Sequence, residues 1–231
     1  MTAADRPRVV LSDANVLFSR VLRDYLLYAA DQELITILWS DTILGEMTRH
    51  LVGKVDGFTT AQGERLVAGM NRAYPGALVE LTEESTVRVA ALTLPDEDDR
   101  HVLAAAVEGG AEVVCTANLK DFPIAALSEL GLEVRHPDEV LTRLVRRRPI
   151  EMLAVHRVCV ERLKGATDES TIAALRRADA PRTADLIEAL LIDDARSRRA
   201  AAELSGELDE LGFARVPLPR ARGGGRAGRR R

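Results

Sequence analysis

Short apolar runs that alternate with helical periods constrain this chain more than any other feature. Arg8–Ser12 (RVVLS), Ile35–Trp39 (ITILW), Ala77–Leu81, Val113–Thr116 and Leu132–Arg135 have the length and β-branched content of strands. Between them lie stretches with apolar residues at helical spacing. From Asn15 to about Ala30, Val16, Leu17, Val21, Leu22, Tyr25, Leu26 and Ala29 fall on one stripe. A second helix starts at Thr42 behind a Ser40 or Asp41 cap and buries Ile43, Leu44, Met47 and Leu51. Thr60–Ala73, Glu83–Leu94, the run around Val102–Ala106 and the segment from Pro137 and Asp138 to Arg146 read as further helices. Strand–helix alternation over about 145 residues implies βαβ units and a parallel sheet covered on both faces.

Beyond Arg146-Arg147-Arg148-Pro149 the strand pattern stops. Met152–Leu163, Glu169–Arg177 and Thr183–Leu211 read as helices, and VPLPRARGGGRAGRRR from Val216 to Arg231 is low-complexity and basic, the composition of a disordered tail. Three segments are therefore expected: 1–148, a helical module over 149–215, and a tail over 216–231. Charge divides along the same line. Residues 1–150 carry 23 acids and 16 bases, against 13 and 16 in residues 151–231, so the overall charge of −4 hides an acidic front and a basic back. No apolar run approaches the roughly 18 residues that cross a bilayer, and the first residues lack the apolar centre of a signal peptide. Cys115 and Cys159 share no metal-type spacing. A reducing, cytoplasmic setting without membrane attachment is the expectation.

Acids occupy the places where such a sheet presents ligands. Asp13 follows the first strand, Glu46 lies one turn into the next helix, Asp99 ends the run Asp96-Glu97-Asp98-Asp99 at a helix start, and Asp121 follows the strand ending near Thr116. If the first strand and the Val113–Thr116 strand are neighbours, these carboxylates meet at one edge. A pair at 4 Å repels by about 4 kcal/mol at an effective dielectric of 20, so protons or a hard cation must compensate. An oxygen-only ligand set favours Mg2+ or Mn2+ over Zn2+. Such an ion activates water for displacement at phosphorus. Asp96 and Asp98 stay open as alternatives to Asp99, although Asp96 and Glu97 also read as a solvated cap. His50 and His101 read as surface or core-edge residues rather than ligands. A calcium loop starting at Asp96 fails because His101 stands where the turn needs glycine.

Asp13-Ala14-Asn15-Val16-Leu17, then Glu46, then Asp98-Asp99-Arg100-His101 through Ala106, then Thr116-Ala117-Asn118-Leu119-Lys120-Asp121-Phe122, together resemble the PIN domain over about residues 8–145. The chain is similar in particular to the VapC-type ribonuclease toxins of bacterial toxin–antitoxin pairs. The resemblance implies a three-layer α/β/α sandwich with a parallel central sheet, here followed by an all-α module. It implies a Mg2+-dependent endoribonuclease, with Mn2+ able to substitute, that cleaves RNA through metal-activated water. Carried over, the catalytic acids fall on Asp13, Glu46, Asp99 and Asp121, the metal ligands on Asp13, Asp99 and Asp121, and supporting positions on Thr116, Asn118, Asp98 and Asp96. Implied partners are RNA and a protein antitoxin, VapB-like or another small DNA-binding protein; assembly as a homodimer is left open. Two other readings compete. One is a phosphoryl transferase with Asp13 as nucleophile, whose pattern asks for an aspartate where Asn15 stands. The other is a PIN-like module that holds RNA or a partner without cutting it.

Overall fold

The computed structural model describes residues 8–210. Up to Leu191 they form one compact unit; residues from Ile192 onward form a second. The first unit is built on five parallel strands, β1 (Arg8–Ser12), β2 (Ile35–Ser40), β3 (Leu78–Val79), β4 (Val113–Cys115) and β5 (Glu133–Arg135), in the order β3-β2-β1-β4-β5. Leu11 lies opposite Leu38 on one side and Val114 on the other. The inner strands are buried on both faces, which is why they read as continuous apolar runs rather than alternating ones.

The chain leaves β1 through α1 (Ala14–Phe18) and α2 (Arg20–Asp31), and leaves β2 through α3 (Asp41–Lys54) and α4 (Thr60–Ala73). It returns across the sheet through α5 (Glu83–Ala90) and α6 (Arg100–Glu108) to β4, then through α7 (Ile124–Leu130) to β5. Right-handed crossovers place α1–α4 on one face and α5–α7 on the other, because the direction of strand addition reverses between β3 and β4. The expected parallel α/β/α sandwich is thus the observed one. Trp39, Tyr25, Leu11, Leu103 and Leu141 are among its fully buried side chains.

Several boundaries differ from the sequence reading. The single helix expected from Asn15 to Ala30 is two. Ser19 is extended (φ −71°, ψ 112°), so α1 packs on α3 while α2 lies along β2. The apolar stripe runs through this bend because periodicity records spacing, not axis direction. Buried Arg23 seals the break, its Nη1 donating to the Leu17 carbonyl at 2.6 Å. The strand expected over Ala77–Leu81 shrinks to Leu78–Val79, the helix expected to reach Leu94 stops at Ala90, and α7 has no counterpart in the sequence reading.

After β5, α8 (Pro137–Arg147), α9 (Pro149–Arg162), α10 (Asp168–Arg177) and the start of α11 (Pro181–Glu210) follow. The residues expected to form a separate module from 149 pack, as far as Leu191, within the same compact unit as the sheet. The contact is built into the side chains. Val155 and Cys159 of α9 are buried with α2 as neighbour, and Asp138 of α8 accepts from the backbone N–H (2.8 Å) and hydroxyl (2.7 Å) of Thr183. In the second unit α11 continues to Glu210, with Ile192 and Leu204 exposed. The expected basic tail over 216–231 lies outside the described residues. Among the described residues no helix is long and apolar enough to cross a membrane.

Candidate active site

Strand order fixes where a site can be. With β1 flanked by β2 on one side and β4 on the other, the connections from β1 and β4 depart to opposite faces and leave a crevice at their C-terminal ends. Asp13 and Thr116 are the first residues beyond those two ends. The Asp13 amide donates to the Cys115 carbonyl at 3.0 Å, fastening the strand ends together.

The Asp13 carboxylate is buried and held on both oxygens. Oδ1 caps α1 by accepting from the Ala14 amide at 2.5 Å. Oδ2 accepts from the Thr116 hydroxyl (2.7 Å) and from Asn15 Nδ2 (2.5 Å). Asn15 also donates to Thr116 Oγ1 (2.9 Å), and its own carbonyl accepts from the Ala117 amide (3.0 Å). Thr116 Oγ1 in turn accepts from the Asn118 amide at 3.0 Å. Burial pushes the Asp13 carboxyl up; the bonds from Thr116 and Ala14 oppose that, and Glu46 adds to it.

The acid run Asp96–Asp99 separates into four different environments. Asp96 is exposed and caps a single 3-10 turn, accepting from the Asp98 amide at 2.9 Å. Glu97 pairs with Arg100, whose guanidinium also donates to the Leu92 carbonyl (3.0 Å) and to that of Val89. Asp98 is exposed. Asp99 is half-buried at the head of α6 and makes no capping bond, so its carboxyl is left for other work. Burial pushes it up to about 7, followed by the charges of Asp13, Asp121, Asp96 and Glu46 in that order. The charges of Asp13, Glu46 and Asp121 are therefore all felt at Asp99.

Glu46 projects from α3 and is half-buried. Its Oε1 lies 3.1 Å from His101 Nε2 and 3.6 Å from Arg49. Asp121 closes a 3-10 turn after β4 and accepts from the Asn118 side-chain amide. Asp99 feels the charges of Asp13, Asp121 and Glu46, and no hydrogen bond joins one carboxylate to another among the described residues. Nor do three His, Cys, Asp or Glu side chains converge there as a preformed metal cluster among the described residues. The donor chemistry nonetheless fits a hard cation: every candidate oxygen is a carboxylate, and the one neighbouring imidazole is engaged by Glu46. His101 Nδ1 and Ser12 Oγ are buried without a hydrogen-bond partner.

Asn15 is the residue that sequence reasoning undervalued. The sequence marks it only as the start of a helix and as the reason a phosphoryl-transfer pattern fails, yet it links Asp13, Thr116 and Ala117. The signal was present in the two-residue spacing Asp13-x-Asn15, which returns the amide over its own cap. His101, set aside as a ligand, is instead the partner of Glu46. His50 is exposed and meets the Phe18 ring edge-on.

Residues 8–120 match the family model of the PIN domain, and over these residues the chain is a PIN domain. A 43-residue stretch, 19% of this chain, is 56% identical to the Mycobacterium tuberculosis protein "Putative ribonuclease VapC50". That stretch spans a quarter of the relative's length. No solved structure matches the chain.

Proposed function

We propose that this protein is a metal-dependent endoribonuclease of the VapC type and the toxin of a toxin–antitoxin pair. What supports the reading is that Asp99, half-buried at the head of α6, feels the charges of Asp13, Asp121 and Glu46, which add to burial in pushing its carboxyl up to about 7. The PIN domain and the VapC-named relative support the same conclusion.

In this reading Asp13, Asp99 and Asp121 hold Mg2+, or Mn2+ in its place, and Glu46 completes the catalytic acids. When bound, the cation supplies charge neutralisation at phosphorus and lowers the pKa of water. The protein's own groups supply the rest. Thr116 and Asn15 fix the Asp13 carboxylate in one orientation, Asn118 does the same for Asp121, and His101 holds Glu46. A carboxyl that titrates near 7 can accept or release a proton at neutral pH, so proton and cation compete for the Asp99 oxygens. Asp98 and Asp96, both exposed, are assigned to the outer edge of the site. An acidic crevice is also a receptor for arginine, whose fork pairs carboxylates bidentately. A VapB-like antitoxin is proposed to inhibit by placing a basic side chain there. The 1–148 nuclease segment, the 149–215 helices and the basic tail are proposed as functional divisions of a cytoplasmic protein, with a homodimer as one assembly to test.

The lack of a preformed cluster favours one alternative, a PIN-like module that binds RNA or a partner without cutting. Incubating full-length protein with RNA in Mg2+, Mn2+ or chelator separates the two. Cleavage that requires the metal and leaves 5′-phosphate ends is the expected result. Intact RNA under all three conditions overturns the nuclease reading.

A further inference from the structure

A cleft of about 720 Å³ opens beside the crevice, and helices from beyond the PIN domain form its far wall. Its inner end is Asn15 and Ala117, which are bonded to each other and, through Asn15, to Asp13. Its floor is apolar, with Leu22 of α2, Leu163 after α9 and Ala174 of α10 among the lining residues. Its volume lies within the roughly 300–1,000 Å³ of sites built for ligands.

Charge at the rim indicates what the occupant is. Lys164 and Arg177 line the cleft, are exposed, and have no carboxylate partner among the described residues. Arg176, next to Arg177 on the same helix, is by contrast tied to Asp185 (2.8 Å) and Glu188 (2.6 Å). Arg20, also on the rim, is matched by Asp24 at 3.5 Å. Two free cations therefore stand over an apolar floor that leads directly to an acidic centre. A polyanion held at that centre is repelled by its carboxylates and needs compensating positive charge along its path. A basic peptide suited to the acidic crevice would be repelled by this rim.

We propose that the cleft holds the single-stranded RNA flanking the scissile phosphate, with Lys164 and Arg177 contacting its phosphates and the apolar floor receiving its bases. The inference rests on the nuclease reading and deepens it. It gives the helices after residue 149 a role in substrate binding that the PIN domain by itself does not supply.

The test uses the full chain carrying Asp13→Asn, so that a short fluorescent single-stranded RNA is bound and not consumed. Affinity is measured over a range of KCl concentrations, with and without the pair Lys164→Gln and Arg177→Gln. Each phosphate contact to single-stranded RNA adds about 0.7 to the slope of log affinity against log salt. The paired substitution should flatten that slope by about 1.4 and weaken binding roughly tenfold or more near 0.1 M salt. Arg176→Gln, which removes a paired charge outside the cleft, should leave the slope as it was. An unchanged slope in the paired variant, with wild type still cutting RNA, overturns the cleft assignment and leaves the nuclease reading standing. A flattened slope without any cleavage by wild type sustains the cleft and overturns the nuclease. Absence of both RNA binding and cleavage overturns the two together. Unchanged RNA binding with loss of a co-purified protein partner assigns the cleft to that partner and also overturns the proposal.

Discussion

Two buried ionisable clusters bridge distant parts of this chain, and they are built on opposite principles. Around His156 every capacity is met. Nδ1 lies 2.5 Å from the Tyr25 hydroxyl and Nε2 lies 3.1 Å from Asp168, joining α2, α9 and the start of α10 through a fully buried ring. At the β1–β4 crevice the opposite holds. Asp13 is satisfied, but Asp99 feels Asp13, Asp121, Asp96 and Glu46, all of its own sign. The first arrangement stabilises the fold and leaves nothing for a ligand. The second leaves uncompensated charge that a cation or a basic side chain can relieve. Burial of a charged group is therefore a poor marker of function. Like charge gathered at a sheet edge is the feature proposed in its place.

The largest expected separation between the clusters comes from removing one group from each. Asp13→Asn should lower RNA cleavage by roughly a hundredfold or more, the scale seen when a charge-stabilising group is taken from an active site. Its melting temperature should hold or rise, since one repelling charge is gone. His156→Ala should do the reverse. It leaves the Tyr25 hydroxyl unpaired and opens a cavity between α2 and α9, costing about 3 kcal/mol in urea unfolding. Specific activity per folded molecule should stay close to wild type. If His156→Ala abolishes cleavage while remaining folded, the division between a structural and a functional cluster fails.

A smaller, signed effect is expected in the pH dependence of stability. Asp99 is raised from 3.8 to about 7 in the fold. Between those values the native state binds more protons than the unfolded state, so metal-free stability should fall as pH rises through that window. Asp99→Asn should flatten the decline and add about 1 kcal/mol near neutrality, most of the nominal shift being screened at a partly exposed carboxyl. His156 is lowered from 6.5 by burial, with Asp168 opposing. Here the unfolded state binds more protons below 6.5, so stability should fall as pH drops, and His156→Gln should remove that contribution. Denaturant midpoints of the two variants across pH check both signs. Midpoints that shift in the same direction with pH would contradict the contrast.

The smallest effect is reserved for Asp98→Asn. Asp98 is exposed and one residue from Asp99, and cleavage should drop by only a fewfold. A loss as large as that of Asp99→Asn would move the third acid of the site to Asp98.

How much of this was legible in the sequence follows from what each signal encodes. The parallel sheet was readable because strands buried on both faces leave unmistakable runs such as Val10-Leu11 and Ile37-Leu38-Trp39. Asp13 and Asp121 were readable as candidates because they follow strand runs, and Asp99 because it heads a helix. The bend at Ser19 was not readable, since Leu17 and Leu22 keep helical spacing across it. Nor was the separation of Asp96, Glu97, Asp98 and Asp99 into a cap, an ion pair, a solvated group and an inward acid. Four consecutive carboxylates look alike until Arg100 is seen anchoring the loop to the carbonyls of Val89 and Leu92. The attachment of α9 and α10 to the PIN domain was hidden as well. Its key contact, Tyr25 to His156, joins residues far apart in the chain.

The central claim is that Asp13, Asp99 and Asp121 act as one cation site whose loading competes with a proton on Asp99. Calorimetric titration of Mn2+ into the full chain, at pH values about one unit either side of 7 and in buffers of different ionisation enthalpy, tests it most directly. Tighter binding at the higher pH, proton release at the lower pH, and loss of both in Asp99→Asn are the predicted results. Binding of equal strength and proton count at both pH values, retained in Asp99→Asn, would contradict the claim.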